Sequence, residues 1–308
     1  MSTEEGKKVS RKKEIGKNGV VVEGRGVYDR RNKLNELTGE EWVYFTNSVW
    51  ITGYSPTATE NVGLKYRKIH PSPKPPGLIR DIIKFFTKSD ALILDPFVGV
   101  GGTLLGAAMA GGGRTAIGID LEEKYMQAYN KVCETENLKK MQYVIGDSKK
   151  IMGEKNSITE KKYDLIIADP PYSDMMSKTR TGQRVKLYDS PGATPYSDKE
   201  ADLGNMNEER FLASLREIIE DSARLLKNEK YLIIFCKDFQ PKGKQTNLLH
   251  CKIINELNKI DGLEYKGMRI WHDQAMSLYP FGYPYAFVMN QIHQYILIFR
   301  KVQNGGKK

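Results

Sequence analysis

Apolar positions along this chain fall into two kinds of run. Short, nearly uninterrupted apolar stretches stand at residues 91–94 (ALIL), 115–119 (TAIGI), 141–145 (MQYVI), 163–168 (YDLIIA) and 231–236 (YLIIFC). Between them, at 78–86, 104–110, 122–134 and 207–227, apolar residues return every three or four positions. The first kind predicts strands buried on both faces, and the second predicts helices packed on a core. Their alternation predicts an α/β fold with a mostly parallel, doubly wound sheet. A further helix is expected within 246–259, and two more strands at 264–271 and 294–301. Upstream, Thr38-Gly39-Glu40-Glu41 reads as a capping box opening a helix through Trp42, Phe45 and Val49 that packs on the main domain. Residues 53–68 read as a loop. The polar stretch 1–36, with Lys and Arg at 7–13 and at 30, 31 and 33, reads as a basic flexible tail before a single domain over 37–308.

The strand ends carry the candidate chemistry. The first run closes on Asp95-Pro96-Phe97-Val98-Gly99-Val100-Gly101-Gly102-Thr103 and leads into a helix. Small residues there let a ligand approach the backbone, and a helix N-terminus offers free N–H groups. No Gly-Lys-Ser/Thr follows, and the spacing is not a clean G-x-G-x-x-G. Asp95 would repel a phosphate but suits an ammonium group, while the helix end can take a carboxylate. The second run ends at Asp120, 21 residues after Gly99, where an acidic side chain can accept ribose hydroxyls. The third ends at Asp147, placed to accept from an adenine amino group. An aspartate closing a strand is common. Three in succession beside the glycine turn describe a site for adenosine joined to an amino acid, the composition of S-adenosylmethionine. The fourth run stops at Asp169-Pro170-Pro171-Tyr172, because the prolines forbid its continuation. The Asp169 carboxylate or the Pro170 carbonyl can accept from an exocyclic amine, and the Tyr172 ring can stack on a base.

Composition narrows the class. The chain has 308 residues, 40% of them apolar, and no apolar stretch of membrane-spanning length. Its N-terminus lacks the apolar core of a signal peptide, so a cytoplasmic setting is expected. Cys133, Cys236 and Cys251 are odd in number and far apart, which suggests neither a disulfide framework nor a zinc site. His70, His272 and His293 show no metal-ligand spacing, and no metal is expected. The net charge of +10 favours polyanionic partners, or a surface that is simply soluble.

Taken together, DPFVGVGGT, GID, GD and DPPY resemble the S-adenosylmethionine-dependent DNA amino-methyltransferases that modify adenine N6 or cytosine N4. HPSPKPPGLI before the first strand resembles the segment that precedes the glycine turn in many of them. The resemblance is close over 70–172 and looser elsewhere. It implies a Rossmann-like, seven-stranded sheet with an antiparallel last strand. Asp95, Phe97, Gly99 and Gly101 would hold the methionine part of the cofactor, with Pro96 and Thr103 also in that site. Asp120 would take the ribose and Asp147 the adenine, Lys74 and Pro75 would cover the cofactor, and Asp169, Pro170, Pro171 and Tyr172 would hold a flipped base in duplex DNA. Asp at the first position of the tetrapeptide leans toward adenine. RNA guanine-N2 methylation and an inactive DNA-binding subunit are the alternatives, and a homodimer is left open.

Two long segments carry no regular period. In 173–206, Arg180, Arg184 and Lys186 suit a lid that grips DNA, or an ordinary surface loop. In 272–293, Tyr279, Phe281, Tyr283, Tyr285 and Phe287 alternate with Pro and Gly, and the rings either pack on the core or, as Tyr283 could, stack on a nucleic-acid base.

Overall fold

The computed structural model describes residues 16–55, 57–172, 196–240 and 245–303. Within the segment expected to be a tail, β1 (Gly19–Val22) and β2 (Gly26–Asp29) pair antiparallel as a hairpin. Arg25, in its turn, ion-pairs with Glu41 at 2.8 Å, and Asn35 donates to the Phe85 carbonyl at 2.6 Å. From residue 16 onward, therefore, this stretch is part of the domain, and only residues 1–15 of the expected tail lie outside the described residues.

The capping box forms as expected: Thr38 accepts from the Glu41 N–H, and Glu41 accepts from the Thr38 N–H, opening α1 (Gly39–Phe45). Trp42 and Phe45 lie against Phe85, with ring centroids 5.3 and 5.4 Å away. The helix stops before Val49, which instead begins β3 (Val49–Thr52), with the Asn47 side chain accepting from the Val49 N–H. A single turn, α2 (Leu64–Arg67), lies within the expected loop 53–68.

After α3 (Pro76–Phe86) the chain alternates regularly. β4 (Leu92–Asp95), α4 (Gly102–Ala110), β5 (Thr115–Asp120), α5 (Glu123–Thr135), β6 (Gln142–Ile145), α6 (Ser148–Gly153) and β7 (Tyr163–Ala168) follow one another. The last third holds α7 (Glu208–Leu225), β8 (Leu226–Cys236), α8 (Leu249–Leu257), β9 (Leu263–Asp273) and β10 (His293–Lys301). One sheet runs β3-β9-β10-β8-β7-β4-β5-β6. β10 is antiparallel to both its neighbours, and the other pairings are parallel. The expected seven-stranded sheet with an antiparallel last strand is thus present, and β3 adds an eighth strand at its edge.

Side chains alternate across the sheet as the two-residue strand period requires. Ile93, Leu165, Ile167, Ile233 and Phe235 enter one core, shared with α3, α4 and α5. Leu94, Ile166, Ala168, Leu232, Ile234 and Cys236 enter the other, shared with α7 and α8. Both faces are covered, which explains why the strands read as continuous apolar runs. The consequence for function is at one edge. Strand order places the carboxyl ends of β6, β5, β4 and β7 side by side, so Asp147, Asp120, Asp95 and Asp169 stand in a row. Chain direction across the sheet reverses between β4 and β7, and such switch points are where open α/β sheets bind ligands.

Candidate active site

Two adjoining cavities open along that edge. The first is an open cleft spanning about 640 Å³, solvent at its mouth included, and is lined by residues including Phe97, Asp120, Asp147, Asp169, Pro170 and Pro171. The second, about 400 Å³, is lined by residues including Lys74, Asp95, Phe97, Thr103 and Asp169. His70, Phe97, Gly99 and Asp169 belong to both, so the cavities meet at the tip of β7. Pro96 lines the first, and its carbonyl accepts from the Ser148 hydroxyl at 2.5 Å.

The turn after β4 is held by its own carboxylates. Asp95 is 3% exposed and accepts from the Thr103 hydroxyl at 2.5 Å and from the Phe97 N–H at 2.8 Å. Burial pushes its carboxyl up to about 7, and the neighbouring Asp169 and Asp120 carboxylates push the same way. Asp120 accepts from the N–H groups of Gly99 and Glu122, each at 2.8 Å, and its withdrawal from water raises it to about 6. Asp147 caps α6 by accepting from the Lys149 N–H at 2.9 Å, so part of its hydrogen-bonding capacity serves its own helix. Gly99 has φ +51, and a Cβ there would lie 3.2 Å from His70 Nε2, at the junction of the cavities. Gly101 and Pro75 line neither cavity: a Cβ on Gly101 would meet the Tyr129 ring, and Pro75 precedes the first turn of α3.

Asp169 is engaged by two side chains from the site itself. Lys74 Nζ donates to its Oδ2 at 2.6 Å, and the Tyr172 hydroxyl donates to its Oδ1 at 2.9 Å. Lys74 is 7% exposed and lies 5.4 Å from the Phe235 ring centroid, an arrangement that stabilises a buried cation. Lys74 therefore reaches the β7 tip as well as lining the second cavity. Tyr172, expected as a stacking platform, has its ring 8% exposed and packed in the core, donates its hydroxyl to Asp169 and lines neither cavity. Burial and that carboxylate raise the phenol well above its usual value. A side chain two positions beyond Pro170 turns back under the sheet edge, leaving Pro170 and Pro171 at the cavity wall.

The structure adds residues that sequence reasoning missed. His70 Nδ1 accepts from the Ser72 N–H at 3.2 Å, and withdrawal from water, with Lys74 nearby, holds the imidazole down at about 3. It is therefore neutral, and its Nε2 carries the proton. The signal for it was its place in HPSPKPP. Tyr196 and Ser197 roof the first cavity: Tyr125 donates to the Tyr196 carbonyl at 2.6 Å, and Ser197 donates to Glu122 at 2.6 Å. Asp202 and Leu203 line it from the same segment, which had no period to read. Arg180, Arg184 and Lys186 lie outside the described residues. In the 272–293 segment Tyr283, Tyr285 and Phe287 are 81%, 94% and 87% exposed, so packing on the core is ruled out for these three rings. Among the described residues, no group of three or more His, Cys, Asp or Glu is placed to hold a metal ion.

A profile for the family described as DNA methylase matches residues 4–131 and 163–306. The chain belongs to the DNA methylase family. Its members take their methyl group from S-adenosylmethionine, and the cleft of this chain offers what that molecule would need: carboxylates at the strand ends and bare glycine backbone at Gly99. Among similar proteins, the type II methyltransferase M2.DpnII of Streptococcus pneumoniae is 44% identical over 73 residues, 24% of this chain and 26% of that one. The type II methyltransferase M.BglI of Bacillus subtilis is 31% identical over 140 residues, 45% of this chain and 35% of that one. The tRNA (guanine(10)-N2)-dimethyltransferase of Pyrococcus abyssi is 32% identical over 129 residues, 42% of this chain and 37% of that one. Each match spans less than two fifths of the relative's length.

Proposed function

We propose that this methylase transfers a methyl group from S-adenosylmethionine to the exocyclic amine of a base in DNA, adenine N6 first and cytosine N4 second. The observation that carries this reading is that Asp169 lines both cavities. An amine held there lies beside whatever the acidic strand ends hold. S-adenosylmethionine supplies an electrophilic methyl group on a sulfonium. Asp120 and Asp147 are assigned to its ribose and adenine, and Asp95 and the first turn of α4 to its amino-acid end. His70, whose Nε2 makes no hydrogen bond among the described residues, adds an N–H at the junction to that set.

The difficulty lies with the nucleophile, whose lone pair is delocalised into the base. Acceptance of its N–H groups by Asp169 and by the Pro170 carbonyl localises that pair and aims it. The site contributes orientation and charge stabilisation. Lys74 holds its ammonium against the Asp169 carboxylate until a base donor arrives to share or replace that contact. The target base must leave the duplex stack, at a cost of a few kcal/mol. The exposed rings between β9 and β10 are at the same edge of the sheet as Asp169 and supply sequence-tolerant stacking surface outside the pocket. The similarity to a tRNA methyltransferase supports a second reading, transfer to guanine N2 in RNA.

The test is transfer from methyl-labelled S-adenosylmethionine to duplex DNA, single-stranded DNA or tRNA, followed by nucleoside digestion. Label in N6-methyladenine from DNA is expected, and label confined to tRNA would replace the first reading by the second. Asp169→Ala should abolish transfer while leaving cofactor affinity within a few-fold. Equal loss of both would make Asp169 a structural residue.

A further inference from the structure

A second cluster of reactive groups lies where β8 meets α8, outside both cavities. Asp238, two residues beyond β8, is 5% exposed. Its two carboxylate oxygens lie 2.9 and 2.8 Å from His250 Nδ1, and Oδ1 also accepts from the His250 backbone N–H at 3.1 Å. The imidazole is stacked on Tyr295, with centroids 4.1 Å apart and planes 16° from parallel. Held this way, Nδ1 carries the proton and donates to Asp238, which leaves Nε2 as an acceptor. Nε2 is 3.2 Å from Cys251 Sγ. Cys251 is exposed, whereas Cys133 and Cys236 are buried. Nucleophile, base and a buried anion that orients the base thus stand in one line, the arrangement that activates a thiol. Cys251 is also in the first turn of α8, where free N–H groups favour negative charge.

Nothing in methyl transfer requires these three residues. We propose that Cys251 is an activated thiol and a site of thiol–disulfide exchange with small, solvent-borne disulfides. In the exchange the Cys251 proton passes to His250 Nε2 as the sulfur attacks one sulfur of the disulfide. A new S–S bond joins Cys251 to that half. The other half leaves as a thiolate and takes the proton back from the imidazolium, so one disulfide is consumed and one formed. Cys251 is exposed and lines neither of the two cavities described above, so the site selects by reactivity and access.

The probe is 5,5′-dithiobis(2-nitrobenzoate) added to the folded, reduced, full-length chain, with release of thionitrobenzoate followed in time. One thiol per chain is expected to react in a fast phase. Cys251→Ser should remove that phase. His250→Gln and Asp238→Asn should each slow it about tenfold or more, while denatured protein still titrates all three cysteines. Iodoacetamide, which is uncharged, should rank the proteins in the same order. A fast phase that survives in Cys251→Ser, or a wild-type rate in either folded variant, overturns the proposal. Because the readout is thiol chemistry, it stands or falls apart from the methyl-transfer reading.

Discussion

At the scale of single residues, the site is governed by carboxylates that burial makes reluctant to ionise. Asp95 is raised from the usual 3.8 to about 7. In the folded chain it keeps its proton to higher pH than in the unfolded chain. Its contribution to stability is therefore full below about 4 and is lost as pH rises through about 7. His70, pushed from 6.5 down to about 3, runs the other way: its contribution is present above 6.5 and lost as pH falls through about 3. Binding follows from the same linkage. A ligand ammonium needs Asp95 ionised, so binding expels its proton. Affinity for S-adenosylhomocysteine should rise several-fold to about tenfold between pH 5.5 and 7.5, and Asp95→Asn should flatten that rise. Calorimetry at each pH measures it, and a flat wild-type profile would remove Asp95 from contact with the ligand's charge.

Among the elements, the glycine turn into α4 shows how packing and site are joined. Gly101 has φ +79, and a Cβ there would lie 2.4 Å from the ring of Tyr129 on α5, which is fully buried. Tyr129 cannot retreat easily, because its hydroxyl accepts from the Met141 N–H at 2.7 Å. Gly101→Ala should cost on the order of 2 kcal/mol or more, from backbone strain together with overpacking. Thermal unfolding reads this as a lowered Tm, and an unchanged Tm would mean that α4 and α5 are not locked together here. The elements with uninterrupted apolar runs, β4, β5, β7 and β8, were legible because both their faces are buried. β1, β2 and β3 were not, because their few apolar residues stand in predominantly polar flanking sequence. Their partners, each other for β1 and β2 and residues some 220 positions away for β3, are tertiary facts with no local signal. Of the site, the acidic strand ends could be read because each closes a strand. The burial of Tyr172 could not, because only the path of the chain after Pro171 decides which way the ring turns. Tyr196 and Ser197 were equally hidden, since nothing in their aperiodic segment marks the contact with α5.

At the scale of the whole molecule, the proposed chemistry and the proposed recognition surface lie apart along one edge of the sheet. The end formed by β6, β5, β4 and β7 gathers the acidic groups and the cavities. The loop between β9 and β10 leaves the sheet at the same edge and carries the exposed rings of Tyr283, Tyr285 and Phe287. The net charge of +10 would draw a polyanion to such a surface and make binding fall steeply with salt. No described helix is long and apolar enough to cross a membrane. The central claim is that one cleft seats the methyl donor with its reactive end at Asp169. A crystal structure with S-adenosylhomocysteine tests it most directly. The adenosine should occupy the cavity bounded by Asp120 and Asp147, the amino-acid end the cavity holding Asp95, and the sulfur the junction beside Asp169. A ligand bound elsewhere, or one whose sulfur faces away from Asp169, would contradict it.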